Sequence, residues 1–447
     1  MLKAGFGRID ITPPFGVSVQ GYYEKRLADG ILDPLYATAV AFDDGAHKAV
    51  VISVDVIGFH QILMNRVRTM IAEAIGTVKE AVFICCTHTH LAPGITAGFT
   101  AIENEEYVLN TFIYKLRDAA ILAVQDLAPA RLSYTRGEAK DVSFIRRFRM
   151  KDGSFRTNPG YQNPDIDCPA SPSDDSSSLL IIKRENAPEI GIVNFQVHAD
   201  VIGGCKLSAD FPKFVRDTYE TLIPNSRCMY INGAEGDSNH VDVRLAPNQC
   251  CGKAARGYDR SRYMGRKIAM SVLADYELAE PLEGDKISFG QVSIWAKVNK
   301  GTPEELEASR KAAKEYKEKG DEGITPFPGR SQKDTRVIAL RIVGLADMPD
   351  EKELYLTALS IGDVVFAGFP GEPFTKVGTC VKEASKFTLT IPACCANGYE
   401  GYYPTENAFT EGGYEANSAR YRQGTAEKLI EASTQLINSL ELRRHEL

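Results

Sequence analysis

Apolar residues in the first half of the chain gather into short, almost unbroken runs, separated by stretches with helical spacing. Ala49–Val56 is nearly continuous Val and Ile and ends at Asp55-Val56-Ile57-Gly58. A run of this length without polar alternation predicts a strand buried on both faces. Gln61–Ile75 is amphipathic at helical spacing, Ala81–Cys86 is a second buried run, and a longer helical pattern covers about Glu105 to Leu127. Gly191–Val197 and Arg227–Ile231 repeat the strand pattern; Leu354–Ile361 and Asp363–Phe369 predict a hairpin around Ile361-Gly362-Asp363. A C-terminal helix is predicted from about Ala416 to Leu440. Strand, helix, strand with apolar strands predicts an α/β fold: a mixed, largely parallel sheet covered by helices on both faces, with the active site at the C-terminal ends of its strands.

Two segments read as peripheral. Ser171–Ser178 is rich in Ser and Asp and predicts a solvated loop. Thr302–Gly320 is charged and helical and leads to a Pro/Gly loop at Thr325–Gly329, so an insertion near residues 300–330 is expected. No internal repeat and no long biased linker divides the chain, so residues 1–447 are expected to form a single catalytic domain.

Composition narrows the function classes. A chain of 447 residues with 44% hydrophobic content can bury a large core, and its net charge of −7 argues against a nucleic-acid partner. No apolar run approaches the roughly 18 residues of a membrane span. The N-terminus, Met1 to Arg8, has no hydrophobic signal region, so a cytoplasmic location is expected. Six of the ten cysteines form the adjacent pairs Cys85-Cys86, Cys250-Cys251 and Cys394-Cys395, and no Cys-x-x-Cys spacing occurs. Neighbouring residues rarely bridge, so buried free thiols are expected rather than a disulfide scaffold or a zinc knuckle.

The candidate chemistry lies where the apolar runs stop. Thr87-His88-Thr89-His90 follows the Ala81–Cys86 strand, and Leu91-Ala92-Pro93-Gly94 after it can only be a loop. In extended geometry residues i and i+2 share a face, so both imidazoles are expected to project into one cleft. Asp55, His198 and Glu372 also close apolar strands. Each has an ordinary structural reading: a satisfied core histidine for His198, a helix-capping carboxylate for Glu372 in Pro-Gly-Glu-Pro. Their common position favours chemistry, because two histidines and a carboxylate form a familiar catalytic zinc set.

Taken together, the motifs resemble those of the neutral (non-lysosomal) ceramidases, over most of the chain and in consistent order. They are Ala4–Pro14, Thr87–His90 with Pro93-Gly94, Val197-His198-Ala199, Phe369–Phe374, and Gly401–Glu406 followed by Gly413-Tyr414-Glu415. The resemblance implies a Zn2+ site held by His88, His198, Glu372 and a tyrosine. The twelve-residue spacing to Tyr414 favours Tyr402 as that tyrosine, with Tyr403 as the alternative. It further implies His90 as proton shuttle, Tyr414 as donor to the developing oxyanion, and Arg146, or its neighbour Arg147, beside the reaction centre. Asp55 is expected to hold a histidine ligand in place.

The chain departs from that family in two places. The family's Gly-Asp-x-Ser-Pro-Asn loop reads here Glu235-Gly236-Asp237-Ser238-Asn239-His240, so its reactive-serine role falls to Ser238, to Asn239, or to neither, and His240 is an added polar group. No counterpart is expected here of the C-terminal β-sandwich and secretion signal of well-known members, nor of a cationic amphipathic anchor. The expected function is therefore a zinc-dependent hydrolase that cleaves an amide (N-acyl) bond with activated water, on a small or polar substrate rather than membrane ceramide. The alternatives are an ester, lactone or carbohydrate-derived substrate on the same centre, and a non-catalytic small-molecule-binding relative. The expected partner is a small-molecule substrate, with no stable membrane anchor and a possible homo-oligomer.

Overall fold

The protein is described by a computed structural model covering residues 1–95, 102–247 and 255–445. The expected Cys250-Cys251 pair lies outside these residues. Its core is a nine-stranded mixed sheet. The long strands are Lys3–Asp10 (β1), Tyr36–Asp43 (β2), Lys48–Val54 (β3), Val82–Cys86 (β4), Ala128–Glu138 (β5), Ser176–Arg184 (β6), Glu189–Phe195 (β7) and Ser226–Asn232 (β8). Their order is β8-β7-β6-β5-β1-β2-β3-β4, with the short strand Glu280–Pro281 (β9) beside β5. A second sheet of four strands runs in the order Ile287–Lys297 (β10), Glu351–Ile361 (β11), Val364–Gly368 (β12) and Leu389–Ala393 (β13).

The mixed α/β class is as expected, but the large sheet is mainly antiparallel rather than largely parallel. Only β3/β4 and β7/β8 pair in parallel; the remaining pairs are antiparallel. The first pair is the strand–helix–strand unit expected from the sequence; the second has its two expected strands, joined by a helix the sequence reading did not anticipate. The two pairs enclose helices Gln61–Ile75 (α1) and Phe211–Leu222 (α3), and they occupy opposite edges of the sheet. Two of the antiparallel pairs, β2/β3 and β6/β7, are hairpins closed by four-residue connections at 44–47 and 185–188, too short for a parallel crossover.

The expectation of helices on both faces is also corrected. One face of the large sheet packs on α1, Ile113–Gln125 (α2), α3 and Tyr258–Leu273 (α4). The other face packs on the second sheet, where Val40, Phe42, Val51 and Phe83 meet Leu359, Ile361, Phe366 and Ile391. Alternate residues of the second sheet, Leu354, Leu356, Val365 and Ala367, face away onto Thr375–Ala384 (α7) and Thr425–His445 (α8). The period-two alternation of β11 and β12 thus builds four layers: helices, sheet, sheet, helices. Pro303–Lys319 (α5), opened by a capping box of Thr302 and Glu305, pairs with Gln332–Leu345 (α6) around Ala312, Ile324 and Ala339. Among the described residues no helix is long and apolar enough to cross a membrane.

Three element boundaries moved for local reasons. Residues Ser176 to Ser178 of the expected loop already belong to β6. The helix expected at 105–127 is interrupted by a wider turn at Val108–Phe112. The last helix begins at Thr425, because Gly424 sits at φ 85°, a left-handed break. The cysteines among the described residues are all free, and Cys85, Cys86, Cys228, Cys394 and Cys395 are buried.

The large sheet curls, and this positions the site. At their C-terminal ends its edge strands meet: Ser53 Oγ on β3 donates to the Tyr230 carbonyl on β8 (2.6 Å), and Asn232 Nδ2 donates to the Thr87 carbonyl (3.2 Å). The end of β13 closes the gap, with the Cys394 amide on the Asn232 carbonyl at 3.0 Å and the Asn397 amide on the Ile84 carbonyl at 2.8 Å.

Asp55, expected to support a histidine ligand, instead takes Arg216 in a two-pronged ion pair (2.9 and 2.8 Å) and caps the Tyr36 amide (2.9 Å). The pair locks α3 to the end of β3 inside the fold, with side-chain exposures of 0% and 3%. Removing one partner strands a buried charge. Asp55→Ala is expected to cost about 3–5 kcal/mol, read by chemical denaturation.

Candidate metal centre

Four chain segments deliver polar side chains to the junction of the curled edges. His88 follows β4 in a left-handed conformation at φ 65°, rare for a residue with a Cβ, and its amide is tied to the Val56 carbonyl at 3.0 Å. The strand has already ended at Cys86. His88 and His90 therefore meet, with ring centroids 5.1 Å apart, through this twist and not through the extended i, i+2 geometry expected. His198 follows β7, Glu372 follows β12, and Tyr402 pairs beside Glu372 in a short parallel bridge. His88 follows the edge strand β4 and His198 the strand next to the opposite edge, yet their ring centroids lie 4.8 Å apart.

The ring tautomers are fixed from behind. His88 Nδ1 donates to the Ile57 carbonyl (2.9 Å) and His198 Nδ1 to the Glu235 carbonyl (3.1 Å). Each neutral ring is thereby left with a bare lone pair on Nε2, aimed forward. Both lone pairs face one carboxylate oxygen: Glu372 Oε2 is 3.4 Å from His88 Nε2 and 3.2 Å from His198 Nε2. The Tyr402 hydroxyl stands 3.3 Å from His198 Nε2, with its ring stacked on that imidazole. Glu372 Oε2 is buried without a hydrogen-bond donor, while Oε1 accepts from the Tyr399 hydroxyl at 2.7 Å.

These distances fit a zinc ion. Donor atoms about 2.0–2.1 Å from a tetrahedral zinc stand about 3.3–3.4 Å from one another. The three measured separations of 3.2, 3.3 and 3.4 Å are edges of such a figure. Lone pairs facing a carboxylate oxygen repel unless a proton or a cation lies between them. With a proton there, burial opposes charge on His88, yet the carboxylates of Glu372 and Glu235 outweigh it and raise its pKa to about 9. Burial likewise pushes Glu372 up, but His88 and His198 override it and hold the carboxyl well below its usual range. His198 is lowered by burial and by the nearby Arg146 cation. A cluster that draws in positive charge this strongly suits a divalent ion. His198, Glu235 and Glu372 are one of the residue groups whose donor atoms gather closely enough for one.

The other expected residues divide. His90 is buried beside the pair, its centroid 5.7 Å from His198, and among the described residues neither ring nitrogen has a hydrogen-bond partner. Burial and the neighbouring histidines hold its pKa well below the usual value. No carbonyl fixes its tautomer, which distinguishes it from His88 and His198. Arg146 donates to Glu415 Oε1 (2.6 Å) and to the Gly236 carbonyl (2.9 Å), and its guanidinium lies 5.4 Å from the Tyr402 ring and 5.9 Å from the Tyr414 ring. Arg147 turns to Glu411 and the Gly412 carbonyl. Tyr414 sits edge-on to Tyr402 and receives a hydrogen bond from Tyr23 at 3.5 Å. Tyr403 is turned away, donating to the Pro370 carbonyl (3.0 Å) and stacking on Tyr421.

The 235–240 loop behaves differently from the family pattern. The Ser238 hydroxyl donates to the Glu235 carbonyl at 3.2 Å, the acceptor that also holds His198. Asn239 is engaged with Asn158 and the Val241 amide. Three close residues were not singled out from sequence. Glu235, fully buried, has Oε2 at 3.9 Å from His198 Nδ1; the Cys395 thiol lies 3.5 Å from His88 Nδ1; and Tyr399 holds Glu372. Tyr399 carried one signal, a position three residues before Tyr402 in a tyrosine-rich stretch.

Residues 2–203 match the family model described as neutral/alkaline non-lysosomal ceramidase, N-terminal. The crystal structure of neutral ceramidase from Pseudomonas aeruginosa is similar, with a TM-score of 0.74 and 20% identity over 99% of this chain and 75% of that one. A second structure, ceramidase complexed with C2, gives 0.73 and 19% over the same shares. No curated protein matches the sequence. The resemblance carried by the motifs therefore holds for the N-terminal family model and for the fold of the whole chain.

Proposed function

We propose that this chain, built on the neutral-ceramidase fold and carrying that family's N-terminal signature, is a zinc-dependent hydrolase of a small, polar N-acyl substrate. The observation that carries the reading is the set of facing donor atoms. Two carbonyl-anchored imidazoles, one carboxylate and one tyrosine hydroxyl gather there, with neighbouring donors at the spacing of ligands on one zinc ion. Zinc supplies Lewis-acid polarisation of an acyl carbonyl and a water acidified toward about pH 7.

In this reading His88, His198 and Glu372 grip the ion, and Tyr402 completes the grip. Burial and Glu372 hold the Tyr402 proton on, against the Arg146 cation, so its hydroxyl ionises only with a metal's help. His90, with both nitrogens unengaged, carries the proton to the departing nitrogen. Tyr414 accepts from Tyr23, which leaves its own proton free to donate to the carbonyl oxygen as charge develops there. Arg146 stiffens both tyrosines and adds positive charge on the oxyanion side. Ser238 is assigned a positioning part, because its hydroxyl is spent on the carbonyl that orients His198.

Dialysis against a chelator should abolish turnover of N-acyl amines, and stoichiometric zinc should restore it; full activity in the zinc-free protein would exclude the reading. The two tyrosines separate in one comparison. Tyr402→Phe should weaken zinc binding about 10–100-fold, a loss typical of a tuned metal contact. Tyr403→Phe should leave zinc binding unchanged and cost about 1 kcal/mol of stability for the Pro370 hydrogen bond. Competition with a zinc indicator dye and denaturant melts read the two effects.

A further inference from the structure

One buried group near the centre has no part in the roles above. His240 is 1% exposed, and among the described residues neither Nδ1 nor Nε2 has a hydrogen-bond partner. Buried polar side chains nearly always find a partner, so a histidine with both nitrogens idle calls for a ligand that satisfies them. The loop that presents it is rigid. Asp237 accepts from the Thr375 amide and hydroxyl (2.7 and 2.8 Å), Ser238 donates to Glu235, and Asn239 is held at both ends of its amide. The His240 carbonyl accepts from Arg260. Nothing in the loop turns back to meet the imidazole.

The surroundings define what would meet it. Burial, and then the cations of Arg256 and Arg260, hold the His240 ring uncharged, and it lies within the electrostatic reach of His198. A neutral imidazole offers one N–H and one lone pair, the complement of a hydroxyl group. Arg256, one of the two cations that act on His240, is connected in turn to His90 through Asp200. Arg256 Nη1 lies 3.8 Å from Asp200 Oδ2, and Asp200 Oδ1 lies 4.0 Å from His90 Nδ1 and accepts from the Tyr22 hydroxyl. An alkyl chain laid along this side would leave the His240 nitrogens unsatisfied.

We propose that His240 is the specificity-determining residue of the site, receiving a hydroxyl group carried next to the scissile bond of a small hydroxylated N-acyl substrate. The inference rests on the zinc-hydrolase reading and adds to it a substrate class. Sites built to hydrogen-bond a substrate hydroxyl discriminate sharply against the analogue that lacks it.

The test uses zinc-loaded protein and hydroxamic acids, which seek zinc without being turned over. Two matched pairs carry hydroxyl or methyl groups, one pair substituted on the acyl carbon and the other on nitrogen. In at least one pair the hydroxylated member should bind about tenfold more tightly by calorimetry. His240→Phe should reduce that preference to near unity with zinc content unchanged, while His240→Gln, which keeps a donor and an acceptor, should retain it. Equal or reversed affinities in both pairs on zinc-loaded protein, or a preference that survives His240→Phe, would overturn the inference alone. Protein that holds no zinc by elemental analysis would overturn the hydrolase reading, and this inference with it.

Discussion

His88→Ala is expected to give a folded protein that retains no stoichiometric zinc and hydrolyses N-acyl amines at least about 10³-fold more slowly. The ring contributes one of the two carbonyl-anchored Nε2 lone pairs, and its absence opens a corner of the donor set. Alanine keeps the Cβ that makes the left-handed backbone at position 88 costly, so the substitution leaves that strain largely as it is and folding should survive. Glu372 would lose the stronger of the two histidine partners that hold its charge, and burial would then push its carboxyl toward the protonated acid. Elemental analysis and thermal melts on the same sample separate metal loss from unfolding. A His88→Ala protein with full zinc and normal turnover would show that the ion is held elsewhere.

His90→Gln should produce the opposite dissociation: zinc retained at wild-type stoichiometry, but kcat lowered by about 10²–10⁴. His90 stands 5.1 and 5.7 Å from the rings of His88 and His198, yet no carbonyl orients it as a ligand. Its pKa is held down by burial first and by its histidine neighbours second, which keeps the ring uncharged. Glutamine keeps the polarity and most of the volume but cannot carry the proton. The loss should fall mainly on kcat, and it should be smallest for substrates whose leaving amine is weakly basic. An unchanged kcat across such a series would remove His90 from the proton path.

The site was more legible in the sequence than the sheet that builds it. Continuous Val/Ile runs ending in His88, Asp55 and His198 marked the strands that deliver the site, because a strand buried on both faces has no polar alternation to obscure it. The strands that make the sheet antiparallel were hidden. In β1, Gly5 and Gly7 sit beneath α2, where a Cβ would fall 2.0 Å from the Ala123 carbonyl and 2.2 Å from that of Ala119. A strand that must admit a helix so closely carries glycine where sequence reasoning looks for Val or Ile. β13 was concealed by Pro392, which is tolerated because that strand pairs only with β12.

Asp55 shows where the strand-end argument overreached. A carboxylate closing a buried strand had the right address for chemistry, but Arg216 arrives from a helix more than a hundred residues away. Nothing local announces such a pairing. Glu235 and Cys395 were passed over for the converse reason, since they approach the histidines only after the sheet has curled and β13 has closed the gap. The resemblance supplied Tyr402 and Tyr414, which no spacing rule would have chosen from a segment holding Tyr399, Tyr402, Tyr403 and Tyr414.

The most direct measurement is anomalous scattering at the zinc edge from crystals grown without added metal. The account predicts one peak about 2.0–2.2 Å from His88 Nε2, His198 Nε2, Glu372 Oε2 and the Tyr402 hydroxyl. A peak bound by other side chains, or crystals of active enzyme with no peak between these four residues, would contradict it.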